Sequence, residues 1–140
     1  MATTTASLTL SSSDLTSDSL SISATSTLYK AGTTIGLDQT TGLTKKVYAT
    51  AQTNTVLVAA SAYSDNGAHK LYIKNVGSSS TDAFSLEIDA TGLNVACAVV
   101  PIGKLYGGDF LYLPWEGEYD IQITTTATDM ELEYMIIYEA

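Results

Sequence analysis

From Leu20 onward the sequence alternates apolar and polar residues in short runs and breaks each run at Gly, Asn, Asp or Pro. A period of two puts every second side chain on one face of a strand, and no window carries the wider-spaced apolar stripe of an amphipathic helix. Leu20, Ile22 and Ala24 alternate with serines. Further strands are expected at Lys46 to Ala51, Thr55 to Ala60, His69 to Val76, Phe84 to Asp89, Val95 to Ile102, Asp109 to Leu113, Glu118 to Thr124 and Met130 to Tyr138. Between them, Asp65-Asn66-Gly67 reads as a tight hairpin turn, because Asn and Gly tolerate positive φ. Thr40-Thr41-Gly42 and Ala90-Thr91-Gly92 read as turns, and Val76 to Asp82 as a longer loop. With no crossover helix to support parallel pairing, the expected fold is all-β: an antiparallel β-sandwich or jelly roll of about eight strands.

The 140 residues suffice for one core without metal or disulfide. Residues 1–19 are dominated by Ser, Thr and Ala, with Leu8, Leu10 and Leu15 their large apolar groups, too little to order a segment alone. They are expected to be an extended N-terminal arm, frayed or ordered against a neighbour, ahead of a β-sandwich over residues 20–140. Met1 to Ala6 lacks the basic start and apolar stretch of a secretory signal, so synthesis in the cytoplasm is expected. The apolar run Val95 to Val100, ended by Pro101, is too short to span a bilayer. Cys97, the only cysteine, lies in that run and reads as a small buried side chain.

The net charge is -9, with six lysines and no arginine. Arg is the residue best shaped to fork onto phosphates and guanine edges, so nucleic acid and anionic membranes are not expected partners.

Candidate chemistry is sparse. His69 is the sole histidine and shares a strand face with Leu71 and Ile73, the ordinary setting of a strand-end histidine. Serines are too common here for their presence to signal a triad, and no Gly-x-Ser-x-Gly turn presents a nucleophile. Glu116 and Glu118 flank Gly117 beside Trp115 and Tyr119, a combination found at sugar sites and equally in a polar turn. The aspartates do not match a calcium loop, and Gly103-Lys104 lacks the spacing of a phosphate cradle. No catalytic residue, metal site or cofactor is expected.

Two strands break clean alternation. In Asp109 to Trp115, apolar or aromatic side chains project from both faces. In Met130 to Tyr138, Glu131 and Glu133 share a face with Met135 and Ile137, while Met130, Leu132, Tyr134, Ile136 and Tyr138 form the other. A strand apolar on both sides must be covered on both sides, either by the chain's own loops and arm or by another subunit. Phe110, Leu111, Tyr112, Leu113, Trp115, Met135 and Ile137 are the expected interface residues.

The stretch His69-Lys70-Leu71-Tyr72-Ile73-Lys74-Asn75-Val76-Gly77, followed by Phe84 to Ile88, resembles a strand, Lys-Asn, small-residue loop, strand unit in small virion structural proteins of tailed phages, including those infecting cyanobacteria. Gly103 to Trp115 is similar to a Gly-acid-aromatic-Leu-x-Leu-Pro segment of the same proteins, and Leu132 to Glu139 resembles their final strand. The likeness covers residues 69 to 140. It implies a non-enzymatic virion component that decorates or cements the capsid, or belongs to the neck or tail appendages. The implied partners are the major capsid protein or other virion proteins and further copies of the chain. A homo-trimer is expected, because capsid threefold positions are natural docking points. A carbohydrate-binding attachment module, built on Trp115, Tyr119, Glu116 and Glu118, is the rival reading.

Overall fold

The computed structural model describes residues 3–15, 17–89 and 99–139. The strands are β1 (Thr5–Ser12), β2 (Leu20–Thr27), β3 (Gln39–Thr40), β4 (Thr44–Tyr48), β5 (Thr55–Val58), β6 (His69–Asn75), β7 (Ala83–Asp89), β8 (Val99–Tyr106), β9 (Phe110–Trp115), β10 (Ile121–Thr125) and β11 (Met130–Tyr138), with a single 3-10 turn at Ala60–Ala62. All pairings are antiparallel. One sheet runs β5-β10-β7-β8; the other runs β3-β11-β6-β9, with β4 also on β11; β1 and β2 form a separate two-stranded hairpin. The chain is an all-β antiparallel sandwich. Cys97, the Ala90-Thr91-Gly92 turn and the start of the strand expected at Val95 lie outside the described residues.

Alternation in the sequence becomes alternation of burial. Along β6, His69, Leu71, Ile73 and Asn75 are buried while Lys70, Tyr72 and Lys74 are half-buried on the opposite face. Leu71 and Ile73, with Leu132 and Ile136 of β11, meet Phe84 and Leu86 of β7 and Ile121 and Ile123 of β10 in one core. Each of these is at most 1% exposed. Burial of each such side chain contributes about 1.5–3 kcal/mol before the entropy of ordering it is subtracted.

Two polar side chains seat the ends of β6. At one end the Asn75 amide donates to the Leu105 carbonyl at 3.0 Å, tying the five-stranded sheet to β8 of the other, while its Oδ1 accepts from the Gly77 N–H at 2.9 Å. At the other end the fully buried His69 ring packs among Tyr63, Trp115 and Tyr138. Its Nδ1 accepts from the Glu139 N–H at 3.3 Å, which leaves Nε2 protonated and donating to the Ser64 carbonyl at 2.9 Å. The ring leaves no space beside it: a Cβ on Gly67 would lie 2.3 Å from Nε2, and one on Gly117, where φ is +89°, would lie 2.4 Å from the Ser64 oxygen.

Several expectations are corrected. Asp65-Asn66-Gly67 is not a hairpin between adjacent strands: β5 and β6 belong to different sheets, and the connection crosses between them through the 3-10 turn. The turn chemistry itself holds, since Asn66 has φ of 60°. Pro101 ends the apolar run but not the strand, as the expected span through Ile102 has it. It lies within β8, where the register against β7 shifts between Leu86 and Glu87, and an irregular edge tolerates a missing N–H. Residues 5–12 are a strand rather than a bare arm, and the hairpin with β2 spans the expected boundary at residue 19.

Asn75→Ala strands the Leu105 carbonyl and the Gly77 amide, so unfolding by chemical denaturant is expected to show a loss of about 2–4 kcal/mol. Tyr48 gives a pH signature. Burial first, and then Tyr134, push its phenol from the ordinary value near 10 up to about 12. A raised folded-state value contributes stability that is complete below pH 10 and is lost as the pH climbs toward 12. Its hydroxyl has no hydrogen-bond partner among the described residues. Tyr48→Phe is therefore expected to melt at least as high as the parent at neutral pH and to lose less stability between pH 10 and 12, as thermal melts across that range will read.

Candidate assembly surface

The outward face of the five-stranded sheet follows from register. Paired residues in antiparallel strands share a face, so the core-facing set Leu71, Ile73 and His69 brings Leu113, Leu111 and Trp115 inward with it. The alternate residues face out in three long rows and one short pair, Glu131 with Val47. One runs Lys45, Glu133, Lys74, Phe110; the next Met135, Tyr72, Tyr112; the third Thr40, Ile137, Lys70, Pro114. The middle row is apolar across three strands and lies between rows that carry charge at Lys45, Glu133, Lys74 and Lys70. That is the layout of a contact patch, an apolar centre with a polar border.

Polar groups on this face are tethered. The Tyr72 hydroxyl donates to Glu133 at 3.1 Å, and burial, followed by that bond, raises its phenol's pKa. Lys45 pairs with Glu131 at 2.9 Å, and that hydrogen bond raises the ammonium's pKa. The Lys70 ammonium donates to the Ala68 carbonyl at 2.7 Å; burial lowers its pKa against the opposing pull of Glu139. Burial alone raises Tyr112. The outward face of the other sheet carries polar bonds, with Gln122 donating to Asp89 at 3.0 Å and Thr124 to Glu87 at 3.1 Å, beside Val56, Val99 and Pro101.

The hairpin stands over part of the apolar patch. Its pairs Ala6–Ser26, Leu8–Ala24, Leu10–Ile22 and Ser12–Leu20 make one mainly apolar face; Thr5, Ser7, Thr9, Ser11, Ser21, Ser23, Thr25 and Thr27 make the other, entirely of hydroxyls. Leu8, Leu10 and Ala24 share a groove of about 680 Å³ with Tyr72, Phe110 and Tyr112. The cover is partial: Phe110 is 59% exposed and Tyr112 40%, while Leu8, Leu10 and Ile22 stand 44–47% exposed.

The expected interface residues therefore divide. Phe110 and Tyr112 face outward and are exposed, and Met135 and Ile137 face outward half-buried. Leu111 and Leu113 point inward beside the core. Trp115 is corrected: it is 7% exposed, its Nε1 donates to the Tyr119 carbonyl at 3.0 Å, and its ring meets Tyr63 edge-on at 5.2 Å. A β-strand pointing aromatics to both sides has one set inside, and pairing with His69 places Trp115 in it. Tyr72 and Val47 were missed. Tyr72 is legible once β6 is split by parity, since it alternates with Lys70 and Lys74; Val47, 65% exposed on β4, gives no such signal.

The same position of Trp115 removes the stacking face on which a sugar site was built, although a cleft of about 370 Å³ does lie among His69, Lys70, Trp115, Glu116 and Tyr119. Glu118 is engaged by the Tyr119 hydroxyl at 3.0 Å. Both His69 nitrogens are held by main-chain groups, and among the described residues no cluster of three His, Cys, Asp or Glu side chains gathers as metal ligands would. Against protein-family profiles, characterised proteins and solved structures, the chain finds no match.

The division predicts opposite outcomes on one strand. Phe110→Thr keeps β propensity and is expected to change stability by no more than about 0.5 kcal/mol, whereas Trp115→Ala is expected to cost about 3–5 kcal/mol. Denaturant titration of the two variants against the parent will read the difference.

Proposed function

We propose that this chain is a non-enzymatic structural protein of a tailed-phage virion that decorates or cements the capsid, binding the major capsid protein and further copies of itself through its outward β surface. The observation that carries the reading is the apolar row Met135, Tyr72, Tyr112 with Phe110 beside it, left only partly roofed by an apolar hairpin. A solvent-facing sheet has no use for such a row, and its exposure invites association. The likeness of residues 69 to 140 to small phage structural proteins supplies the particle. Among assembly roles, a rigid two-sheet body with most polar outward groups already bonded suits a protein added to a preformed shell. The buried position of Trp115 favours this reading over sugar binding.

Copy number in purified particles, measured by quantitative mass spectrometry, is the test. On the order of hundreds of copies, in a simple ratio to the major capsid protein, is the expected result. A few dozen copies confined to one vertex would move the protein to the neck or tail, and absence from particles would end the proposal.

A further inference from the structure

The sandwich guards its edges, and the hairpin does not. The chain has two prolines, and each lies in an edge strand: Pro101 in β8 and Pro114 in β9. The opposite edges are blunted as well, by the brevity of β5 at four residues and by Lys45 and Lys46 on β4. Proline, lysine, irregular register and short length are the devices that stop a sheet edge from pairing with another chain. β1 and β2 have none of them. Each is eight residues long, pairs in unbroken register, and contains no proline, glycine or charge.

The free edge has a defined phase. Leu28 N–H donates to the Thr4 carbonyl at 2.9 Å, so the pairs that exchange hydrogen bonds inside the hairpin are the even-numbered ones, Ala6–Ser26, Leu8–Ala24 and Leu10–Ile22. The odd-numbered residues Ser7, Thr9 and Ser11 of β1, and Ser21, Ser23 and Thr25 of β2, aim their main-chain N–H and C=O groups away from the hairpin. A two-stranded ribbon is marginal in water, and a third strand with a covered apolar face is what makes it stable.

We infer that the hairpin pairs edge to edge with the hairpin of a second copy of this chain, forming one continuous intermolecular sheet. Charge permits that partner. Two copies at -9 each repel, and the hairpin strands offer sixteen residues without a charge on which they meet without that penalty. Edge complementarity selects it, because among the described strands the only long unguarded edges are those of β1 and β2. This rests on the proposal that the chain is an assembly protein and names the segment and the partner through which copies join.

The test uses the full chain. Light scattering at micromolar concentration is expected to give a mass of two or more copies. Thr9→Pro, and separately Ser23→Pro, each remove one outward N–H without touching the hairpin's own bonds, and each is expected to drop the mass to one copy while the sandwich melts as the parent does. Thr9→Val keeps the N–H and is expected to keep the parent mass. Independently of any variant, amide exchange at Ser7, Thr9 and Ser11 is expected to be about tenfold slower or more in the multimer than after dilution to single copies. A single-copy mass for the parent, proline variants that keep the parent mass, or odd-numbered amides that exchange freely in the multimer would each overturn the inference. So would a single-copy parent that sediments with neutral phosphatidylcholine vesicles, which would make a lipid surface the occupant. Mass and exchange are read without particles and copy number with them, so failure of this pairing and failure of the capsid role are told apart.

Discussion

Strand β6 is held in place by a buried polar residue at each end, and the rest of the sandwich is organised around that seat. A strand stabilised only by apolar contacts can slide, since a shift of two residues returns the same face to the core. Asn75 forbids the slide at one end by reaching across to the Leu105 carbonyl of the opposing sheet. His69 forbids it at the other, because both ring nitrogens meet main-chain groups of chain segments distant from each other, Ser64 and Glu139. A displaced β6 leaves an amide and an imidazole buried without partners, each costing on the order of 1–3 kcal/mol, enough to decide between registers. With β6 fixed, the registers of β9 and β11 on either side determine which of their side chains face outward.

That dependence explains what the amino-acid sequence discloses and what it hides. The parity of β11 is legible from Glu131 and Glu133 alone, and β6 declares itself through Lys70 and Lys74. β9 offers no such marker, because Phe110, Leu111, Tyr112 and Leu113 are apolar on both sides. Only its pairing with β6 settles that Leu111, Leu113 and Trp115 go in while Phe110 and Tyr112 go out. The turn at Asn66 shows the same limit: local chemistry gives the positive φ, yet nothing local says that the strands on either side lie in different sheets. Pro101 marks a related limit, since proline is excluded from a central strand but tolerated at an edge, and edge status belongs to the whole sheet.

The N-terminal segment is the case where composition misdirects most. Thr5 to Ser12 holds too few apolar groups to order itself, and taken alone it reads as a tail. Its leucines meet apolar partners in Leu20 to Thr27, Leu10 against Ile22 and Leu8 against Ala24, so the two stretches form an amphipathic ribbon that neither predicts singly. Uniform hydroxyls on the reverse face keep that ribbon neutral and wettable. Neutrality is unusual in a chain of this acidity, and it falls on the segment where the edge devices seen elsewhere are missing.

Stability and the proposed association are thereby assigned to different atoms. The core lies between the sheets, in Leu71, Ile73, Phe84, Leu86, Ile121, Ile123, Leu132 and Ile136, where truncation destabilises the body most. The outward row and the hairpin edge contribute little to that core, so they are free to be tuned for contact without loss of fold. A protein whose interface shared side chains with its core would exchange folding stability for binding at every substitution. Here the parity of three strands separates the two, and the separation holds only as long as Asn75 and His69 keep β6 in register.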